Sequence, residues 1–99
     1  MIRRLVVLPD ARGEIEEASD WYHERSGSLG SSFRAEIRAC FARIRENPFK
    51  YQRLYREARS ALLHRFPYSI VFVVQEPDVL VVACIHQRRD PLAWQARIP

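Results

Sequence analysis

The stretch that decides the fold runs from His64 to Arg97, HRFPYSIVFVVQEPDVLVVACIHQRRDPLAWQAR. It contains two apolar segments, residues 69–75 and 79–86, which are separated only by EPD at residues 76–78. Both segments are rich in valine, isoleucine and phenylalanine, which suit a pleated and packed surface, so we predict a β-hairpin. The cluster HQRRDP, residues 86–91, follows the second strand directly. Loops displayed by a rigid sheet often carry function, so this cluster is the first candidate site.

Length and composition predict one small globular domain over residues 1–99, since 47% of the 99 residues are hydrophobic. The net charge is +4, and the excess lies in the second half of the chain. Residues 1–49 hold 8 arginines and 8 acids, whereas residues 50–99 hold 8 lysines and arginines and 4 acids. This excess of positive charge is compatible with binding of RNA, DNA or an acidic protein partner, and equally with ordinary surface charge.

Cysteine usage and the N-terminus bear on the compartment. Cys40 and Cys84 lie in apolar segments without a paired spacing, which indicates free, buried thiols in a reducing environment and no metal site. The apolar run before Pro9 is too short for a signal peptide, and no apolar stretch reaches the length of a membrane span. We therefore expect a cytoplasmic protein without membrane association, cofactor or metal.

The first half of the chain predicts a strand and a helical hairpin. Residues 2–8 form a short apolar run that ends at Pro9, and a helix follows over residues 10–26 with Asp10 as its N-cap. The short link that follows forces an immediate reversal into a second helix, which ends at residues 47–48. That second helix has the clearest apolar period in the chain, carried by Leu29, Phe33, Ile37, Cys40, Phe41 and Ile44.

The second half adds three strands. Residues 48–55 are predicted as a loop whose Phe49, Tyr51 and Tyr55 either cover the edge of the core or stack nucleic-acid bases. A weaker strand follows at residues 56–65, and residues 91–96 form a closing turn or short helix. The fold class is therefore α+β, in the order β-α-α-β-β-β, with a helical hairpin packed on one face of a small, mainly antiparallel sheet.

The second face of this sheet also needs a cover. The hairpin strands are apolar at consecutive positions, as is typical of strands that are buried on both faces. The two helices can cover only one face, so either the C-terminal tail or a partner chain covers the other. A partner chain is the more economical hypothesis, because monomers seldom expose large apolar patches.

The order and spacing of several motifs resemble the ParE/RelE superfamily of small bacterial toxins from type II toxin–antitoxin modules, often labelled plasmid stabilisation proteins. The resemblance covers nearly the whole chain. Its motifs are Trp21-Tyr22 on an acidic helix, Leu29-Gly30 with Phe33, Asn47-Pro48, Arg65-Phe66-Pro67-Tyr68, and His86-Gln87-Arg88-Arg89-Asp90-Pro91 with Trp94 and Arg97.

The superfamily includes RelE-like ribonucleases, which cut mRNA on the ribosome and need a base, an acid and cations for the phosphorane charge. This chain departs from that pattern, because Lys50 is its only lysine, Ser69 stands where an arginine is common, and Trp94 stands near the late tyrosine position. An indole cannot exchange a proton usefully near neutral pH. A ribonuclease site could still be assembled from His64, His86, Arg59, Arg65 and Arg88.

ParE-like members of the superfamily resemble non-catalytic inhibitors of DNA gyrase. The departures from the ribonuclease pattern favour a ParE-like function for this chain, and we then expect no catalytic residue. The resemblance then implies that Arg88, Arg89 and Arg97 contact the target and that Trp94 supplies an interface anchor. Two of these residues also have an alternative, purely structural role. Arg89 could form a local ion pair with Asp90, and Trp94 could be a lid packed on the sheet. The lid is the favoured role for Trp94.

The resemblance also implies partners. A cognate ParD-like antitoxin would wrap the toxin, in a one-to-one complex or a heterotetramer, and DNA gyrase would be the target; the ribosome and mRNA take that place under the ribonuclease alternative. A third hypothesis is a non-toxic chain that acts only as the corepressing partner of a DNA-binding antitoxin.

Overall fold

The structure, a computed structural model, describes residues 3–89 and 91–99. Its elements follow the predicted order, with one additional strand and a short C-terminal helix. The strands are β1 (Arg4–Val7), β2 (Arg53–Tyr55), β3 (Ala58–Leu62), β4 (Tyr68–Gln75) and β5 (Asp78–His86). The helices are α1 (Pro9–Arg25), α2 (Gly27–Glu46) and α3 (Leu92–Gln95), and a 3-10 turn spans Pro48–Lys50. In the described ranges, no helix is long and apolar enough to cross a membrane.

The five strands form one sheet in the order β1-β5-β4-β3-β2. The predicted hairpin is confirmed, since β4 and β5 pair antiparallel from Tyr68 opposite His86 to Gln75 opposite Asp78. β3 and β2 continue antiparallel from β4, whereas β1 lies parallel to β5 at the other edge. The α+β class, with a helical hairpin on a mainly antiparallel sheet, is therefore confirmed.

Two local expectations differ from the structure. α1 begins at Pro9 rather than after it, because proline fits the first helical turn, where its missing N–H would have no partner. The N-cap residue is consequently Leu8, and Asp10 lies in the first turn, where its carboxylate faces the positive end of the helix dipole.

The segment predicted as a loop over residues 48–55 contains the short edge strand β2. β2 pairs with β3 through Arg53 opposite Arg59 and Tyr55 opposite Ala58. The strand predicted over residues 56–65 is correspondingly shorter, because a turn occupies its first two positions.

One core lies between the helical hairpin and the sheet. α2 contributes Phe33, Ile37, Cys40 and Ile44, all at most 5% exposed. These side chains pack against β3, β4 and β5, with Phe72 fully buried among them. The periodic stripe of the second helix is thus core.

A second core covers the opposite face of the sheet. Val71, Val73 and Val82 of the hairpin pack there against Trp94 and Ile98 of the C-terminal tail. Trp94 and Ile98 are 2% and 7% exposed. The expectation that a partner chain covers this face was wrong, because the tail folds back and supplies the cover.

A bulge in β5 explains why consecutive residues of this strand are buried. Val71 lies opposite Ala83 and Phe72 opposite Val81, so Val82 is an extra residue in the ladder. Val81 belongs to the core under the helices, whereas Val82 and Ala83 both belong to the core under the tail. The extra residue shifts the alternation of side chains and lets both cores take apolar groups from one strand.

Candidate functional site

Two connections meet at one end of the sheet. Tyr68 begins β4 directly opposite His86 at the end of β5. The Gln87 N–H donates to the Pro67 carbonyl over 2.9 Å, which ties the segment after β5 to the turn before β4. This arrangement collects the five residues that we call the cationic end: His64, Arg65, His86, Arg88 and Arg89.

The segment after β5 folds back on His86. The Arg88 N–H donates to His86 Nδ1 over 3.1 Å, and the Arg89 N–H donates to the His86 carbonyl over 2.9 Å. The imidazole also meets the Tyr68 ring edge to face, with 5.2 Å between centroids. Burial raises the pKa of Tyr68, so its hydroxyl stays protonated near neutral pH. These contacts fix the backbone of Arg88 and Arg89 while both residues remain exposed.

The turn between β3 and β4 supplies the other two members. The His64 N–H donates to Glu36 Oε1 of α2 over 2.9 Å. Arg65 follows with φ at 72°, in the left-handed region that favours glycine. Both residues are exposed, so the cationic end offers imidazole and guanidinium groups to solvent.

Arg59, the remaining candidate for a ribonuclease site, lies elsewhere. It pairs with Phe72 on β4, four residues along the strand from Tyr68, a distance of roughly 13 Å at the usual rise per residue. Its guanidinium donates to the Tyr51 carbonyl over 2.6 Å and lies 5.2 Å from the centre of the Phe49 ring. Four of the five ribonuclease candidates therefore share one end of the sheet, and Arg59 does not join them.

Trp94 packs as a lid. Its indole is 2% exposed and meets the ring of Tyr55 edge to face, with 6.2 Å between centroids. In this position the ring is not available as an interface anchor, so we do not retain Trp94 among the target-binding candidates.

Arg97 fastens the tail to the body of the fold. It donates to both carboxylate oxygens of Glu14 over 3.0 and 2.9 Å, and to the Val82 carbonyl over 2.8 Å. Asp10 adds a longer ion pair at 3.5 Å. The hydrogen bonds to Glu14 raise the pKa of Arg97 above its ordinary value. Of the predicted target-binding residues, Arg88 and Arg89 are thus exposed, whereas Trp94 and Arg97 contact the rest of the chain.

The contacts of Glu14 and Arg97 also close an open strand edge. β1 ends at Val7, opposite Val81, so the last five residues of β5 pair with β4 on one side but have no strand on the side that β1 occupies. The Cys84 N–H donates to Glu14 Oε1 over 3.0 Å, while Arg97 occupies the Val82 carbonyl. Two side chains therefore satisfy backbone groups that an adjacent strand would otherwise pair.

A groove of about 330 Å³ adjoins the cationic end. Trp21 stands on one side of it, 49% exposed, with the Arg25 guanidinium 3.4 Å from the centre of its ring. His86 and Arg89 contribute to the opposite side. The predicted pair of Arg89 with Asp90 lies outside the described residues. The groove is lined by Glu14, Glu17, Ala18, Trp21, Tyr22, Tyr68, Cys84, His86 and Arg89.

Sequence reasoning missed Glu14, Trp21 and the groove. Trp21 flanks the apolar stripe of the first helix, and this position was the available signal that it could face outward. Glu14 gave no signal, because its partner Arg97 is 83 residues away. In residues 3–89 and 91–99, no group of three or more histidine, cysteine, aspartate or glutamate side chains could hold a metal ion.

Comparison with known families matches residues 5–91 to the family described as ParE toxin of type II toxin-antitoxin system, parDE. The chain belongs to the ParE toxin family. A solved structure described as the chromosomal ParDE TA system from P. aeruginosa is similar to this ParE-family chain, with a TM-score of 0.75 and 16% identity. The alignment covers 86% of this chain and 96% of that one. No curated protein sequence matches the chain.

Proposed function

We propose that this ParE-family toxin inhibits DNA gyrase by binding it without catalysis, and that a cognate ParD-like antitoxin neutralises it. The observation that carries the proposal is the state of the cationic end. Arg88 and Arg89 are exposed on a backbone that His86 holds in place. Exposed guanidinium groups on a fixed backbone suit recognition of carboxylate or phosphate on a large target.

The geometry gives less support to RNA cleavage. Stabilising a phosphorane requires cations that converge with an acid and a base on one reacting group. Arg59 is held some distance away by Tyr51 and Phe49, and the buried Trp94 can serve neither as acid nor as base. Four candidates at the cationic end still make a RelE-like, ribosome-dependent ribonuclease the second hypothesis.

The groove beside the cationic end supports the antitoxin part of the proposal. The C-terminal tail already covers the second face of the sheet, so the antitoxin needs another apolar surface. The half-exposed Trp21 and the partly buried rings of Tyr22 and Tyr68 provide one. The solved ParDE structure, by its description, is of a toxin–antitoxin system, which is the ground for proposing a ParD-like partner, in a one-to-one complex or a heterotetramer.

The proposal is tested by supercoiling of relaxed plasmid with purified gyrase. The wild-type chain should inhibit supercoiling and stabilise cleaved DNA. The double variant Arg88→Ala/Arg89→Ala should need at least about tenfold more protein for the same inhibition, since loss of about 1.4 kcal/mol corresponds to that factor.

The matched control is the double variant Arg34→Ala/Arg38→Ala, which removes two exposed arginines from α2. Both double variants should keep the wild-type melting temperature. Unimpaired inhibition by the Arg88 and Arg89 variant, or equal impairment in the control, would exclude the cationic end as the docking surface. Cleavage of ribosome-bound mRNA by a chain that leaves gyrase active would favour the ribonuclease, and the absence of both activities would favour the non-toxic corepressor.

A further inference from the structure

Two arginines share an unusual backbone conformation. Arg65 has φ at 72° and Arg56 has φ at 52°, and they are the non-glycine residues with positive φ in the described part of the chain. A side chain with a Cβ is disfavoured in this region, whereas glycine adopts it without steric conflict. An arginine at such a position therefore lowers stability relative to glycine, and strained residues of this kind often serve a function.

Three backbone hydrogen bonds stabilise the turn that contains Arg65. The Leu63 N–H donates to the Tyr68 carbonyl over 2.9 Å, and the Tyr68 N–H donates to the Phe66 carbonyl over 2.8 Å. The third tie is the bond from Gln87 to Pro67 that joins this turn to the end of β5. The guanidinium of Arg65 lies 5.8 Å from the centre of the buried Phe66 ring. The cation is thus exposed on a backbone that cannot easily relax.

The electrostatic surroundings leave this cation available. Within the described ranges, no carboxylate oxygen lies within 4.0 Å of the guanidinium groups of Arg65, Arg88 or Arg89. The Glu36 carboxylate accepts the His64 N–H, and no ion pair joins it to Arg65 in the described part of the chain. Three exposed guanidinium groups therefore lie on two turns that the Gln87–Pro67 hydrogen bond connects, and we call them together the positive patch.

We propose that this patch binds the phosphate backbone of duplex DNA and that Arg65 is a preordered phosphate contact within it. Protein-binding hot spots are centred on aromatic anchors, and the ring that adjoins Arg65, that of Phe66, is only 6% exposed, whereas the exposed Trp21 lies across the groove that we assign to the antitoxin. Phosphate contacts need no such anchor, because planar guanidinium groups bind phosphate oxygens in pairs. The inference goes beyond inhibition of gyrase, since DNA binding by the chain alone can be measured without the enzyme.

Arg56 provides a matched control for Arg65. It is exposed, has positive φ, and lies 5.2 Å from the centre of the adjacent Tyr55 ring, much as Arg65 lies against Phe66. It occupies the turn between β2 and β3, at the opposite end of β3 from the cationic end. Replacing either arginine by glycine removes one charge and relieves one strained residue, but only Arg65→Gly alters the patch.

The experiment is fluorescence anisotropy of a short labelled DNA duplex with the full chain at a series of salt concentrations. For Arg65→Gly, the slope of log affinity against log salt should fall in magnitude by about 0.9, the value for one lost phosphate contact. Arg56→Gly should keep the wild-type slope. Neither variant should have a lower melting temperature than the wild-type chain.

Several results would overturn the inference: no binding of duplex by the wild-type chain, an unchanged slope for Arg65→Gly, an equal decrease for Arg56→Gly, or tighter binding of single-stranded RNA than of duplex. Arg65→Asn serves as the second variant if the glycine variant is poorly folded, because asparagine tolerates the left-handed region. The supercoiling assay tests inhibition of gyrase separately from binding of duplex DNA, so the two proposals can fail independently. A chain that binds duplex through Arg65 but leaves gyrase active would refute that proposal alone.

Discussion

Replacement of Arg97 by methionine should destabilise the fold strongly, because this side chain joins the C-terminal tail to α1 and β5. Its three short hydrogen bonds reach the two Glu14 oxygens and the Val82 carbonyl, and its side chain is only 23% exposed. Hydrogen bonds to charged groups contribute about 1.5–3 kcal/mol each when removed, but water can partly replace them here. We therefore expect a loss of about 3 kcal/mol in the free energy of unfolding, or about 15 °C in melting temperature.

Arg4→Met is the matched control for this variant. Arg4 also makes two hydrogen bonds to one carboxylate, that of Asp78, at 3.2 and 2.8 Å, but its side chain is 75% exposed. Exposed pairs of this kind contribute little to stability, so Arg4→Met should leave the free energy of unfolding nearly unchanged. Urea unfolding followed by circular dichroism gives both values, and a double-mutant cycle with Glu14→Gln should give a coupling of at least about 1.5 kcal/mol for Arg97. Equal losses for Arg97→Met and Arg4→Met would refute the view that Arg97 secures the tail.

Two further predictions concern packing and the thiols. Gly30→Ala should lower the free energy of unfolding by about 1–3 kcal/mol, because the new Cβ would lie 2.9 Å from the Cβ of His23. In Gly13→Ala the new Cβ meets no atom within 4 Å, so this variant should be more stable than the wild-type chain by about 1 kcal/mol. Thermal unfolding that ranks the two variants in the opposite order would contradict the close approach of the helices. Burial raises the pKa of Cys84 to about 12 and that of Cys40 to about 11, so neither thiol should react with a disulfide reagent near pH 8 until urea unfolds the chain. Rapid labelling of the native protein would contradict this.

Much of the fold could be predicted because its signals are local. The spacing of apolar residues on α2 matches the helical period, and the two apolar runs around residues 76–78 leave little alternative to a hairpin. The cover of the second face was predicted only in part: the lid role of Trp94 was favoured, but a partner chain was preferred to the tail as a whole, because Trp94 and Ile98 lie in a short segment without a periodic pattern. The tail is fixed by the pair of Arg97 with Glu14, whose residues are distant in sequence and give no local signal.

The candidate site was predictable in position but only partly in composition. Arg88 and Arg89 follow a buried strand, so their exposure at its end could be expected. Arg97 and Trp94 follow within nine residues of them and are residue types that favour interfaces, yet tertiary contacts bury Trp94 and engage the guanidinium group of Arg97. The groove depends on residues from α1 meeting the end of β5, an approach that only the assembled fold defines.

The most direct test of the central claim is pulse labelling of bacteria within minutes of inducing this chain without an antitoxin. Incorporation of thymidine is compared with incorporation of amino acids. Inhibition of gyrase predicts an early loss of thymidine incorporation while amino-acid incorporation continues. An immediate collapse of amino-acid incorporation with DNA synthesis initially intact would contradict the claim, and so would unchanged incorporation of both precursors.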